Sequence, residues 1–96
     1  MAMTPEAKVK KRVVAQLKTL GVYFFYPVTG GYGSSGVPDI VGCVRGKFFA
    51  IECKAGGNQP TALQQKNIDA IRNQAGAVIV INEDNVEMVT AWITTL

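Results

Sequence analysis

Two β-rich runs, Ile40 to Val44 and Lys47 to Lys54, stand end to end with only Arg45-Gly46 between them. No other stretch of the chain leaves so few folding options. A two-residue connection is the shortest hairpin turn, so Val44 faces Lys47 and the register of every further pair follows. Arginine is not a favoured residue in such a turn. One step beyond the runs, the register sets Asp39 directly opposite Glu52. Side chains alternate along a strand, so Glu52 and Lys54 share a face, and Asp39 joins them at a Cβ separation of about 5 Å. The neighbours Phe48, Phe49, Ala50 and Ile51 read as core-like, and packing alone does not call for two carboxylates and an ammonium among them. Carboxylates this close repel unless a cation lies between them, and an oxygen-liganded divalent ion such as Mg²⁺ fits that need.

The segments around the hairpin alternate between helical and strand patterns. Thr4-Pro5-Glu6 reads as a helix start, with Thr as N-cap and Pro at the first helical position. Val9, Val13, Leu17 and Leu20 recur at helical spacing up to Gly21, a helix stop. Glu6 continues that inward stripe, while Lys8, Lys11, Arg12 and Lys18 form an outward basic face. That face is most simply solvated, and it is also a candidate for phosphate contacts. Val22 to Tyr26 is a strand closed by Pro27, its aromatic residues read as core or dimer interface rather than as a base-stacking platform. An acid-free loop follows from Thr29 to Gly36, where Ser34, Ser35 and Gly36 would let a phosphate backbone approach. It lacks the Lys-Ser/Thr ending of a nucleotide-binding P-loop.

Beyond the hairpin, Ala55 to Pro60 is a loop, and Thr61-x-x-Gln64 resembles a capping box. The inward line of the helix it opens runs Gln64, Ile68, Ile71, Ala75, with Gly76 ending it. Ala77 to Ile81 is a continuously apolar strand, of the kind covered on both faces. Asp84-x-x-Glu87 repeats the capping-box pattern before a final helix that turns Val86, Val89, Ile93 and Leu96 inward. The order α-β-β-β-α-β-α predicts an α/β fold, a mixed sheet flanked by helices, with residues 1–96 as one domain.

Composition narrows the chemistry. The chain has no histidine, which removes Ser-His-Asp and Cys-His nucleophile systems and imidazole-ligated zinc. Cys43 and Cys53 fall on opposite sheet faces in the hairpin register, so no disulfide is expected. Residues 1–54 carry eight Lys/Arg against three Asp/Glu, and residues 55–96 carry two against four. A basic first half suits a polyanion partner. No apolar run approaches the ~20 residues of a membrane span and no signal-peptide core is evident, so the expectation is a cytoplasmic protein, in a bacterial or phage-infected cell, without membrane contact.

Pro38-Asp39, twelve intervening residues, then Glu52-Cys53-Lys54 resembles the signature of the PD-(D/E)xK nuclease superfamily. Within it the chain looks like the virus-type replication-repair nuclease (VRR-NUC) domain. It shares a first-helix Glu6, the Ser-Gly-x-Pro-Asp segment from Ser35 to Asp39, a hairpin into Ile51-Glu52-Cys53-Lys54, and a following helix bearing Gln64. The resemblance runs from about Thr4 to Trp92. It implies a restriction-endonuclease-like core and metal-dependent hydrolysis of DNA phosphodiester bonds. Asp39, Glu52 and the backbone carbonyl of Cys53 would hold Mg²⁺ or Mn²⁺, Lys54 would orient the attacking water or neutralise the developing charge, Glu6 would complete the acidic cluster, and Gln64 would hydrogen-bond the site. It also implies a homodimer acting on branched DNA, four-way junctions included. Two other readings stay open: a non-catalytic DNA-binding domain derived from a nuclease, and a restriction-type or exonuclease activity of the same chemistry. The intact acid–acid–lysine set argues against the first, because a pure binder gains nothing from negative charge beside phosphate. The short chain leaves little room for a sequence-reading domain, which argues against the restriction-type option.

Overall fold

A computed structural model describes residues 3–28 and 36–96. Helix α1 spans Pro5–Leu20, opened by the Thr4 hydroxyl accepting from the Ala7 N–H at 3.1 Å and closed by Gly21 in the left-handed conformation. Strands β1 (Tyr23–Phe25), β2 (Ile40–Val44) and β3 (Lys47–Cys53) follow. Next come helix α2 (Ala62–Asn73), strand β4 (Ala77–Ile81), a 3₁₀ turn at Val86–Met88, and helix α3 (Val89–Thr94). The order anticipated from the sequence therefore stands.

The four strands form one sheet in the order β1-β2-β3-β4, with β1, β2 and β3 antiparallel and β4 parallel to β3. Helix α2 is the crossover that a parallel pair requires. The hairpin has the expected register: Val44 pairs with Lys47, and Ile40 with Ile51.

Each face of the sheet carries its own core. Val9, Val13 and Leu17 of α1 and Val89 and Ile93 of α3 pack on Ile40, Val44, Phe49, Ile51, Cys53 and Ile81. On the opposite face Ile68 of α2 packs on Val41, Ala50 and Val78. Gln16 joins α1 to the C-terminal segment, its Nε2 donating to Val86 O and its Oε1 accepting from the Thr90 N–H and hydroxyl. No helix among the described residues is long and apolar enough to cross a membrane.

The unfavourable turn residue has a physical explanation. Arg45 and Gly46 both take positive φ, 49° and 79°. The guanidinium of Arg45 in turn donates to the carbonyls of Ile93, Thr94 and Leu96 at the end of α3, the closest at 2.7 Å. Several charge-assisted hydrogen bonds outweigh the ~1 kcal/mol of left-handed strain.

Four local expectations need correction. Strand β1 is limited to Tyr23–Phe25, and of its aromatic run only Phe24 packs on the core. Tyr23, Phe25 and Tyr26 are exposed, as is Phe48 of β3, because they lie on parts of the sheet that no helix fully covers. Helix α2 stops at Asn73, and Ala75, exposed and at φ 63°, lies off the inward line. The Asp84-x-x-Glu87 capping box does not form. Asn82 and Asn85 close that turn instead: Asn82 Oδ1 accepts from the Asp84 and Asn85 N–H groups, and Asn85 Oδ1 from the Asn82 N–H. Glu87 is drawn away to an ion pair with Arg12. Finally, Glu6 is exposed and not part of the buried stripe.

Candidate active site

The hairpin register delivers Asp39 and Glu52 to one end of the sheet, where β2 begins and β3 ends. Asp39 lies just before β2, and its Oδ2 accepts a 2.8 Å hydrogen bond from the Cys53 N–H, which pins the carboxylate across the strand pair. Glu52 alternates with Ala50 and so faces the α2 side of the sheet. Its side chain is only 2 % exposed, and Lys54, two residues on, is 8 % exposed. The Lys54 N–H donates to Ile81 O at 2.9 Å, so β4 extends the backbone restraint past the end of β3.

The electrostatics of this corner are unfavourable without a further cation. Burial pushes the Glu52 carboxyl up from 4.5 to about 8, helped by the hydrogen bond it shares with Asp39 and by the charge of that neighbour, while Lys54 pulls the other way. Glu52 Oε2 is buried with no hydrogen-bond partner among the described residues. A buried carboxyl oxygen left unpaired costs about 1–3 kcal/mol, more once the group is charged, and so suits a cation. The donor set is oxygen-rich and hard, as Mg²⁺ or Mn²⁺ requires. Among the described residues no three His, Cys, Asp or Glu side chains converge into a complete metal cluster. A metal held by Asp39 and Glu52 therefore needs further oxygens, from backbone carbonyls or water. The two carboxylates and the orphaned oxygen fit such an ion.

The other candidates are distributed unevenly around this centre. Glu6, in the first turn of α1, lies close enough for its charge to act on both Glu52 and Cys53. It lines an open cleft with Thr4, Ala55, Gly56 and Asn58, beside the loop that leaves Lys54. The Cys53 thiol is buried and pushed up to about 12, chiefly by desolvation, so it is inert as a nucleophile. Gln64 is engaged in the capping box of α2: its Oε1 accepts from the Thr61 N–H at 2.8 Å, and its own N–H donates to Thr61 Oγ1. Gly36 sits against that first turn so tightly that a Cβ would lie 2.7 Å from the Leu63 carbonyl carbon and 2.8 Å from Gln64 N. The turn thus braces the segment leading into Pro38-Asp39. Ser34 and Ser35 lie outside the described residues.

On the basic face, Lys8, Lys11 and Lys18 are exposed. Lys18 lies twelve residues after Glu6, roughly 18 Å along the helix axis and away from the acidic corner. Arg12 is committed to Glu87. Sequence reasoning passed over Lys10, whose charge acts on Cys53 and whose Nζ lies 4.6 Å from the centroid of the Tyr26 ring. The signal was available: Lys10 stands four residues after Glu6, on the same helix face.

No family model matches the chain. Among curated proteins it is 28 % identical over 90 residues to the "Putative nuclease p44" of Acyrthosiphon pisum secondary endosymbiont phage 1, covering 93 % of this chain and 95 % of that protein. Among solved structures it superposes on a chain described as "VRR_NUC domain" with a TM-score of 0.74 at 20 % identity, covering 93 % of this chain and 97 % of the other. The chain has the fold of that domain, a mixed four-stranded sheet between helices.

Proposed function

We propose that this protein is a divalent-metal-dependent deoxyribonuclease in which Asp39, Glu52 and Lys54 carry the hydrolysis of phosphodiester bonds. Its similarity to a protein named as a nuclease supports the class of activity. The observation that carries the reading is Glu52, sealed from water beside a second carboxylate with one oxygen unpartnered. Asp39, Glu52 and the Cys53 carbonyl would hold Mg²⁺ or Mn²⁺, with Glu6 reaching the ion directly or through water. A bound ion supplies Lewis-acid polarisation of the phosphate and a more acidic water. The chain's own groups do the rest. Asp39 is held by the Cys53 N–H before any substrate arrives, so its geometry needs no reorganisation. The ammonium of Lys54 projects from the same face as Glu52, where it orients the attacking water and offsets charge building on the phosphate. Lys8 and Lys11, both exposed, would contact flanking phosphates.

We read the substrate as branched DNA, including four-way junctions, cut by a homodimer. Tyr23, Phe25 and Phe48 are exposed on the α2 side of the sheet, an apolar patch that a second copy would cover. Two copies would bring two sites to two strands.

A cleavage panel of single strand, duplex, flap, splayed arm and four-way junction tests the reading. Cleavage in Mg²⁺ or Mn²⁺, none in EDTA, and none by Asp39→Asn is expected, with a dimer in sedimentation. Undiminished cleavage in chelator, or by Asp39→Asn, overturns the site. A monomer with and without DNA overturns the dimer.

A further inference from the structure

Lys10 and Tyr26 form a second polar–aromatic feature at the same end of the sheet as the acidic corner. Phe25 pairs with Val41, so the next step along β1 carries Tyr26 level with Ile40 and one residue short of Asp39. Tyr26 is 46 % exposed as a residue, with Phe24 packed edge-on against its ring at 6.1 Å between centroids. Lys10 is half-buried, and its ammonium is held 4.6 Å from the ring centroid. Its stem lies on α1 one turn beyond Glu6, and its charge reaches Cys53, whose N–H holds Asp39. The cation is thus fixed on the α1 side of this end of the sheet, whereas Lys18 is remote and Arg12 is paired with Glu87.

We propose that Lys10 and Tyr26 make a nucleotide-holding rim: Lys10 contacts a phosphate next to the scissile one, and Tyr26 stacks against an unpaired base. This rests on the nuclease reading and narrows its substrate to DNA with an unstacked nucleotide beside the cut. A base inside a duplex keeps both faces covered by its neighbours, so a protein aromatic ring can stack only on one released from the helix. The ammonium at the ring strengthens this surface, because a base on a cation-bearing platform gains stacking while its phosphate gains an ion pair. A half-exposed Tyr26 beside a held ammonium, in a chain with a basic first half, suits a nucleic-acid contact.

The test is binding in EDTA, where hydrolysis does not interfere, to a fluorescent oligothymidylate and to an abasic strand of equal length. The abasic strand keeps every phosphate and lacks every base. Wild type should prefer the thymidylate by roughly 5- to 100-fold, the range of one stacked base. Tyr26→Ala should erase that preference with little change in abasic affinity, and Tyr26→Phe should retain it. Lys10→Gln should weaken both strands, the thymidylate more than the abasic strand, and lower the salt dependence by about one counterion, with Lys10→Arg restoring it. Thermal denaturation of each variant separates these effects from unfolding. A folded Tyr26→Ala that keeps the preference, or a folded Lys10→Gln with an unchanged salt slope, overturns the proposal. Failure of the cleavage panel with this binding pattern intact would fault the nuclease reading alone.

Discussion

Replacing Glu52 by Gln should stabilise the metal-free protein, and more so as the pH rises. Glu52 releases its proton near 4.5 when unfolded but holds it to about 8 in the folded chain, because burial and Asp39 both oppose its charge. Between those values the unfolded chain is ionised at this position while the folded chain still carries the proton. Folding then takes up one proton, so stability falls by about 1.4 kcal/mol per pH unit as pH rises through the window. The full span sets a ceiling of about 5 kcal/mol, which is large against the 5–15 kcal/mol of a typical domain. Glu52→Gln removes the titrating group, and its amide can still donate to Asp39.

Urea denaturation in EDTA at pH 5 and at pH 8 is the assay. At pH 5 wild type and Glu52→Gln should agree within about 1 kcal/mol. At pH 8 the variant should lead by about 2–4 kcal/mol, or upwards of roughly 10 °C in melting temperature for a chain of this size. Mg²⁺ or Mn²⁺ should then stabilise wild type at pH 8 through binding to the folded state, and leave the variant nearly unmoved. A stability difference equal at the two pH values would refute the reasoning, because desolvation of a titrating carboxyl cannot produce it.

Gln64→Ala should lower stability by about 1 kcal/mol through loss of the capping box, with kcat falling no more than a few-fold and Gln64→Glu restoring both. A collapse of kcat at unchanged stability would instead place Gln64 in contact with the reacting groups. Arg45→Gly should destabilise by about 1–3 kcal/mol although glycine suits the turn, because the α3 carbonyls lose their donors. Equal or greater stability of Arg45→Gly in urea would show those bonds to be dispensable.

Features set by local rules were legible in the sequence. Thr4, Gly21 and the Thr61–Gln64 pair marked helix ends because capping needs only residues three or four apart. The hairpin register was legible because a two-residue turn leaves no freedom, and with it came the convergence of Asp39 and Glu52. What failed depended on partners distant in sequence. The Asp84–Glu87 pattern lost to an Asn82–Asn85 turn and to Arg12, 75 residues away from Glu87. Arg45 looked wrong for its turn because its acceptors lie at the end of α3, 48 to 51 residues on. Glu6 was placed inward by periodicity, yet at the first turn the helix has not reached the core, and the side chain stands at the rim. Lys10 was hidden among other lysines, since nothing local shows which of them meets Tyr26.

The Arg45 anchor and the acidic corner stand at opposite ends of the same hairpin, Arg45 at the turn and Glu52 about 17 Å further along β3. The two are coupled by register. A one-residue slip in the pairing would carry Glu52 and Lys54 to the α1 face and set Cys53 toward α2. The apolar pattern resists that slip only in part, because Phe48, Phe49, Ala50 and Ile51 put hydrophobic residues on both faces of β3. Once Glu52 loses its proton the two carboxylates repel, so the corner does not hold the register by itself. The restraint must come from elsewhere: the left-handed turn tied to α3 by Arg45, the Cys53 N–H bond to Asp39, and the Lys54 N–H bond to β4. These restraints keep Glu52 beside Asp39 when its proton is lost and no cation lies between them.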